Sequence, residues 1–298
     1  MVPELVTQGP PILVAVGFAL LLLMMAGALG LRVLGWLGAP SAAATPAERG
    51  VLAVALGAGA LQVVPLALGA VGMLSVLSCR VAVGLLVVVL ARDMLSLVRR
   101  LWLTVRSAAA GSLFRQHWVR IWLLALAPAV FVAFIRALTP TLDADGLTYH
   151  LTAPKRWLES GWLHYLPTYV PTHTPMGADM LFVLGLPVAG DIATKTTHFG
   201  LGIFAAIATY GVAARLSSPV AGIVAASLLL VGPSHITTLL GNAYTEGAIC
   251  LALAASLLAC VLWLQERHDA WLNVAGLLVG IAVSFKLTAV LFAVALVA

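Results

Sequence analysis

Long apolar runs, broken by short polar interruptions, organise this chain, and their length predicts helices that cross a membrane. PPILVAVGFALLLLMMAGALGL and VLAVALGAGALQVVPLALGAVGMLSVL reach or exceed the roughly 20 residues that span a hydrocarbon core as helix. No ten-residue alternation of apolar and polar positions points to a β-barrel. Spans are expected near 11–31, 50–70, 74–92, 119–138, 197–214, 219–238, 245–264 and 271–285, with another starting at about 287. The fold class expected is all-α: a polytopic helical membrane protein. The first run lacks a preceding basic residue and is longer than a signal-peptide core, so it reads as a retained span. The last run, after Lys286, is too short to cross, which predicts further spans beyond residue 298.

The polar interruptions give the chain an orientation. Residues 92–120 carry Arg92, Arg99, Arg100, Arg106, Arg115 and Arg120 against Asp93, and such basic loops lie on the cytoplasmic side. The stretch LSLVRRLWLTVRSAAAGSLFRQHW interleaves Leu, Val and Trp with Arg. It reads equally as an amphipathic helix on an anionic membrane face or as a plain basic connector. The span at 119–138 then runs outward, and residues 138–196 form the main external loop. Its charges are Lys155, Arg156 and Lys195 against Asp143, Asp145, Glu159, Asp179 and Asp191. Three regions follow: spans in 1–92, a basic cytoplasmic connector in 93–118, and a membrane region in 119–298 that holds the external loop.

One segment controls the topology downstream. MGADMLFVLGLPVAG, residues 176–190, either spans the membrane or lies in its interface. About 14 residues containing Asp179 and Pro187 fall short of a crossing, so the interfacial reading is preferred. It places GNAYTEGA, residues 241–248, and Lys286 on the same external side as the 138–196 loop.

Composition sharpens the class. A chain of 298 residues that is 62% hydrophobic and 9% charged, with mean hydropathy +1.08, is not a soluble domain. The net charge of +5 follows from the basic loop and implies no nucleic-acid partner. Cys79, Cys250 and Cys260 lie in or beside apolar runs without metal or disulfide spacing, and read as small apolar fillers.

Candidate chemistry concentrates in TPTLDADGLTYHLTAPKRWLESGW, residues 139–162. Either Asp143 or Asp145 serves as a helix N-cap. Two carboxylates this close can also divide labour, one as general base and one as positioner. They offer hard oxygen ligands of the kind that Mg or Mn takes, although two or three acids do not establish a metal. Tyr149 lies one helical turn after Asp145. His150 reads as a phosphate ligand, a proton shuttle or a structural hydrogen-bonder. Lys155 and Arg156 either grip a phosphate or sit solvated at head-group level. Pro154 is expected to interrupt the helix there, and Gly161 to end it. The segment WLHYLPTYVPTHTP, rich in Pro and aromatics, cannot be regular helix; its rings form an interfacial belt or grip a sugar or prenyl chain. Glu246, among the first N–H groups of a span, is favoured by the helix dipole. Lys286 lies between two apolar runs with no acid adjacent in sequence, so a lipid phosphate is its expected partner.

In this order of features the chain resembles the bacterial C-type glycosyltransferases (GT-C, family 39), which include protein O-mannosyltransferases and lipid A aminoarabinose transferases. The resemblance rests on an acidic pair just after a span, YHLTAPKRWLESGWL, the Pro-led TPMGADMLFVLGL, AYTEGAI, and GLLVGIAVSFK, over about residues 119–290. Three spans stand before the loop where simpler members have one, and Glu246 stands where an Asp is commoner. The resemblance implies a multi-pass protein of the bacterial inner membrane, active on its external face among membrane lipids. Its partners would be a polyprenyl-phosphate-linked sugar donor and an acceptor of unspecified class. Asp143 or Asp145 would take the acceptor's proton. Lys286, with Lys155, Arg156 or His150, would stabilise the departing phosphate. Tyr149 and Glu246 would contact or orient substrate. Two other classes compete: a secondary transporter using Asp, Glu, His and Lys at span ends as an ion relay, which lacks the internal repeats usual there, and an assembly subunit without an active site.

Overall fold

Inside a membrane the backbone must satisfy its own hydrogen bonds, and the apolar runs do so as helices. The computed structural model describes residues 11–110, 116–231 and 240–297. The helices are α1 (Ile12–Trp36), α2 (Pro46–Leu61), α3 (Val63–Ala70), α4 (Val76–Ala110), α5 (His117–Ala137), α6 (Thr152–Ser160), α7 (Gly177–Leu216), α8 (Pro219–Val231), α9 (Glu246–Glu266), α10 (Ala270–Phe285) and α11 (Val290–Val297). Among the described residues, six helical stretches are long and apolar enough to cross a membrane: α1, Pro46–Ala70, Val76–Arg99, α5, α7 and α9. The fold is all-α and polytopic. Arg115 and residues 232–238 of the expected 219–238 span lie outside the described residues.

The innermost contact is between α1 and α2, and small residues make it. A Cβ added at Gly30 would strike the Ala53 carbonyl, and one added at Gly57 would strike the Ala26 carbonyl. Ala26 and Gly30 on α1 thus face Ala53 and Gly57 on α2 in antiparallel register, each pair four residues apart. Such small-xxx-small stripes let backbones approach where no hydrophobic force separates helix from lipid. The start of α2 is fixed by a capping box: the Glu48 N–H donates to Thr45 Oγ1 at 3.3 Å, and the Thr45 N–H donates to the Glu48 carboxylate at 2.7 Å. Glu48 also receives both arms of the Arg215 guanidinium, at 2.5 and 2.8 Å. That ion pair ties the start of α2 to the end of α7.

The decisive turn of the chain lies inside α7. Pro187 removes one helical N–H, Ala189 leaves helical geometry, and Gly190 takes φ 73° and ψ −168°, a backbone region that glycine alone occupies freely. The helix folds back so sharply that Gly185 faces Thr194. The first limb, 177–188, is about 18 Å long and too short to cross a hydrocarbon core; the second, 191–216, at about 39 Å, is long enough. Beyond the bend, the Asp191 carboxylate accepts from the Thr141 N–H at 3.0 Å and from its hydroxyl at 2.9 Å. The buried Lys195 ammonium donates to the Thr139 carbonyl at 2.8 Å. The second limb therefore begins beside the segment that leaves α5, at the bundle end opposite the Glu48–Arg215 pair.

Three sequence expectations change. Residues 93–110 are helical and continue α4 past the expected span end at 92: the Arg residues interrupt hydropathy without interrupting helix propensity. The Arg32–Asp93 pair at 2.6 Å joins this region to α1. Pro154 does not interrupt α6 but sits in its first turn, where a missing N–H costs nothing. Gly161 then closes α6 at φ 86°. The stretch expected to span at 271–285 is an apolar helix shorter than the crossing helices.

Gly30→Val and Gly57→Val are each expected to force α1 and α2 apart and to cost about 1–3 kcal/mol. The check is a lower unfolding temperature in detergent, set against Gly35→Val, where an added Cβ meets open space.

Candidate functional site

The external-loop motif folds into a short, dense structure. Asp143 stands before the first helical residue and its Oδ2 accepts the Gly146 N–H at 2.7 Å, which satisfies a helix-start donor. Its Oδ1 is buried without a hydrogen-bond partner. Residues Gly146–His150 form a π turn, a local widening common at functional sites. Asp145 is exposed and accepts weakly from the Tyr149 hydroxyl at 3.4 Å. His150 is buried and its Nδ1 lies 2.6 Å from the equally buried Asp179 carboxylate on the first limb of α7. Two patches hold this pairing. Ala153 and Trp157 of α6 pack on Met180 and Val183, and Leu151 packs with Phe182, Leu186 and Ala243.

A second group arrives from α9 and α10. The Glu246 Oε1 accepts from the Lys286 ammonium at 2.9 Å, and its Oε2 accepts from the Thr245 N–H at 3.1 Å. Tyr244, just before α9, brings its ring to 5.8 Å from His150, which also meets the Tyr149 ring at 4.1 Å. Burial, followed by the charges of Asp145, Glu246 and Asp179, raises the Tyr149 phenol above its ordinary pKa. Burial, with Asp143 and Asp145, does the same to Tyr244. Both phenols stay protonated at neutral pH and remain hydrogen-bond donors. A small pocket with room for about one water molecule is lined by Gly202, Ala205, Leu229, Leu240, Gly247 and Cys250, with Glu246 in its wall.

Asp145, Tyr149, His150, Glu246 and Lys286 thus gather at one end of the bundle. Lys155 and Arg156 do not join them: they occupy the exposed face of α6, opposite its buried Ala153, Pro154 and Trp157, and Arg156 pairs loosely with Glu159 at 3.6 Å. Lys286, with no acid adjacent in sequence, has one in space: Glu246, 40 residues earlier, accepts one of its ammonium protons. Among the described residues no three His, Cys, Asp or Glu side chains group together as a protein-only metal cage would need. Asp179, His198 and Tyr244 belong to this end although charge spacing did not select them. In the sequence Asp179 stands out only as an external-loop charge within the short 176–190 run, and Tyr244 only as part of AYTEGAI.

Residues 175–298 match the model for the dolichyl-phosphate-mannose-protein mannosyltransferase family. A domain of that family is present here. Comparison with curated proteins and with solved structures gave no match. The mannosyltransferase-family domain contains Asp179, Tyr244, Glu246 and Lys286, while Asp143, Asp145, Tyr149 and His150 precede it and dock onto it through the His150–Asp179 contact.

That contact is expected to hold the loop to the domain. Asp179→Leu alone, which strands the buried imidazole, should cost about 1–3 kcal/mol. The double variant His150→Phe/Asp179→Leu should recover part of that loss, because no unpaired polar group is left. Unfolding in detergent across the four-member cycle measures the difference.

Proposed function

We propose that this protein transfers a sugar from a polyprenyl-phosphate donor to an acceptor, by single displacement with inversion, at the bundle end where the loop motif meets α9 and α10. The family domain and the long apolar helices support a membrane glycosyltransferase. The observation that carries the finer reading is the meeting of an open carboxylate, Asp145, with the Glu246–Lys286 pair around Tyr149 and Tyr244.

Asp145 is the better base of the two aspartates. The Asp143 carboxylate is committed through Oδ2 to the Gly146 N–H, whereas Asp145 is exposed and only loosely bonded. In the step proposed, Asp145 takes the proton of an acceptor hydroxyl or amine. The freed electron pair forms a bond to the anomeric carbon, and the bond from that carbon to the phosphate oxygen breaks, so lipid phosphate leaves with the bonding electrons. Lys286 spends one ammonium proton on Glu246 and keeps two for the leaving phosphate, a contact that strengthens where water is scarce. Tyr149 and Tyr244 supply neutral donors and ring faces to the sugar. Lys155 and Arg156, on the solvated face of α6, fit a head-group contact at the membrane surface better than a role in the reaction. External orientation follows from the basic cytoplasmic stretch.

The test is transfer from labelled polyprenyl-phosphate sugar in detergent or liposomes. Asp145→Asn is expected to lower turnover by about 10²–10⁴-fold, the range of general-base loss, while Asp143→Asn, which keeps a capping oxygen, loses far less. If Asp145→Asn turns over like the wild type, the base assignment falls; if both do, so does the acidic pair. Proton-coupled uptake into vesicles without glycosyl transfer would favour a transporter.

A further inference from the structure

The start of α9 lacks a cap of its own, and His198 supplies one from another helix. Thr245, the residue before the helix, makes no side-chain capping bond, so the first N–H groups need partners from elsewhere. The Gly247 N–H donates to His198 Nε2 at 2.8 Å. A nitrogen that accepts carries no proton, so the proton is on Nδ1, which donates to the Asn242 carbonyl at 3.1 Å. Both nitrogens are therefore spent on the backbone of the loop 242–247, from a side chain 1% exposed. A Cβ at Gly247 would meet the His198 ring and carbonyl, so glycine is what lets the imidazole reach the N–H. On the far side, Asn242 Oδ1 accepts from Arg136 Nε at 2.9 Å, and a Cβ at Gly241 would meet Arg136 and the Ala133 carbonyl. The run GNAYTEG is thus gripped between α5 and the second limb of α7, with Tyr244 and Glu246 held between its two glycines.

We infer that His198 is a positioning residue: as a neutral imidazole it caps α9 from α7 and thereby sets the Glu246 carboxylate against Lys286. It touches neither sugar nor phosphate. Its effect passes through the Gly247 N–H to Glu246, one residue earlier. The importance of this for catalysis rests on the transfer reading above; the positioning itself does not, and the test separates the two.

The full chain in detergent is treated with an amine-reactive acetylating reagent, and the modification rate of Lys286 is read by peptide mass spectrometry. Glu246→Gln, which frees the ammonium, sets the unpaired rate, expected to be roughly two- to fivefold above wild type for a partly exposed ion pair. His198→Phe should approach that unpaired rate. His198→Gln, whose amide can reach the Nε2 position and accept from Gly247, should stay near the wild-type rate. His198→Asn, which reaches only the Nδ1 position, should behave like Phe. A Lys286 rate unchanged in His198→Phe overturns the inference, and so does equal acceleration in Gln, Asn and Phe, which marks a general loss of packing. In the transfer assay Glu246→Gln and His198→Phe should share one pattern of change in kcat and KM, with His198→Gln recovering most of the loss. A wild-type chain that transfers no sugar yet gives the expected labelling order removes the proposed function and leaves the positioning role standing.

Discussion

A charge or a free backbone N–H inside a bilayer has no water to fall back on, and much of this structure answers that constraint. Arg32 meets Asp93, Arg215 meets Glu48, and Lys286 meets Glu246, each pair bridging elements far apart in sequence. Lys195, which has no carboxylate in hydrogen-bond reach among the described residues, ends on the carbonyls that follow α5. The first N–H groups of α9 end on an imidazole from α7. Each contact satisfies a group that hydrocarbon would reject, and all but the Arg32–Asp93 pair, which meets α4 at its middle, fix a helix end against another segment. The stripe of Ala and Gly between α1 and α2 works differently, by bringing bare backbones together.

The bend at Ala189–Gly190 turns these local solutions into a site. The first limb of α7 is too short to cross, so it returns the chain to the end from which it came. Asp179 on that limb reaches His150 in the loop, while Asp191 and Lys195 just past the bend hold residues 139–141. The loop motif is therefore clamped at both ends by one helix, and that helix lies within the mannosyltransferase-family domain. Asp145 is left as an open carboxylate on a supported turn, which is the combination a general base requires.

Much of this was legible beforehand. The apolar runs marked the helices because length and hydropathy alone decide whether a segment can cross. The short 176–190 segment stood out by the same measure. Gly161 signalled the end of α6. The features that escaped notice are those in which a residue's neighbour in space is remote along the chain. Lys286 looked unpartnered because its carboxylate lies 40 residues away. His198 closes the polar stretch TKTTH, where nothing points to the backbone of residues 242–247, and Lys155 with Arg156 read equally as a phosphate grip or a solvated pair until the helix turned them outward. The extent of α4 was hidden by arginines, which lower hydropathy while remaining good helix formers.

By itself, then, the sequence determined a helical membrane protein with a dense group of ionisable residues around DADGLTYH and an apolar 176–190 segment short for a crossing, since these follow from periodicity, length and residue type within a window. Only the tertiary structure decided which aspartate is spent on capping, which acid neutralises Lys286, and which side chain starts α9. Those choices depend on helix ends separated by tens of residues being brought within hydrogen-bond distance, and a reversal at one glycine is what brings them there.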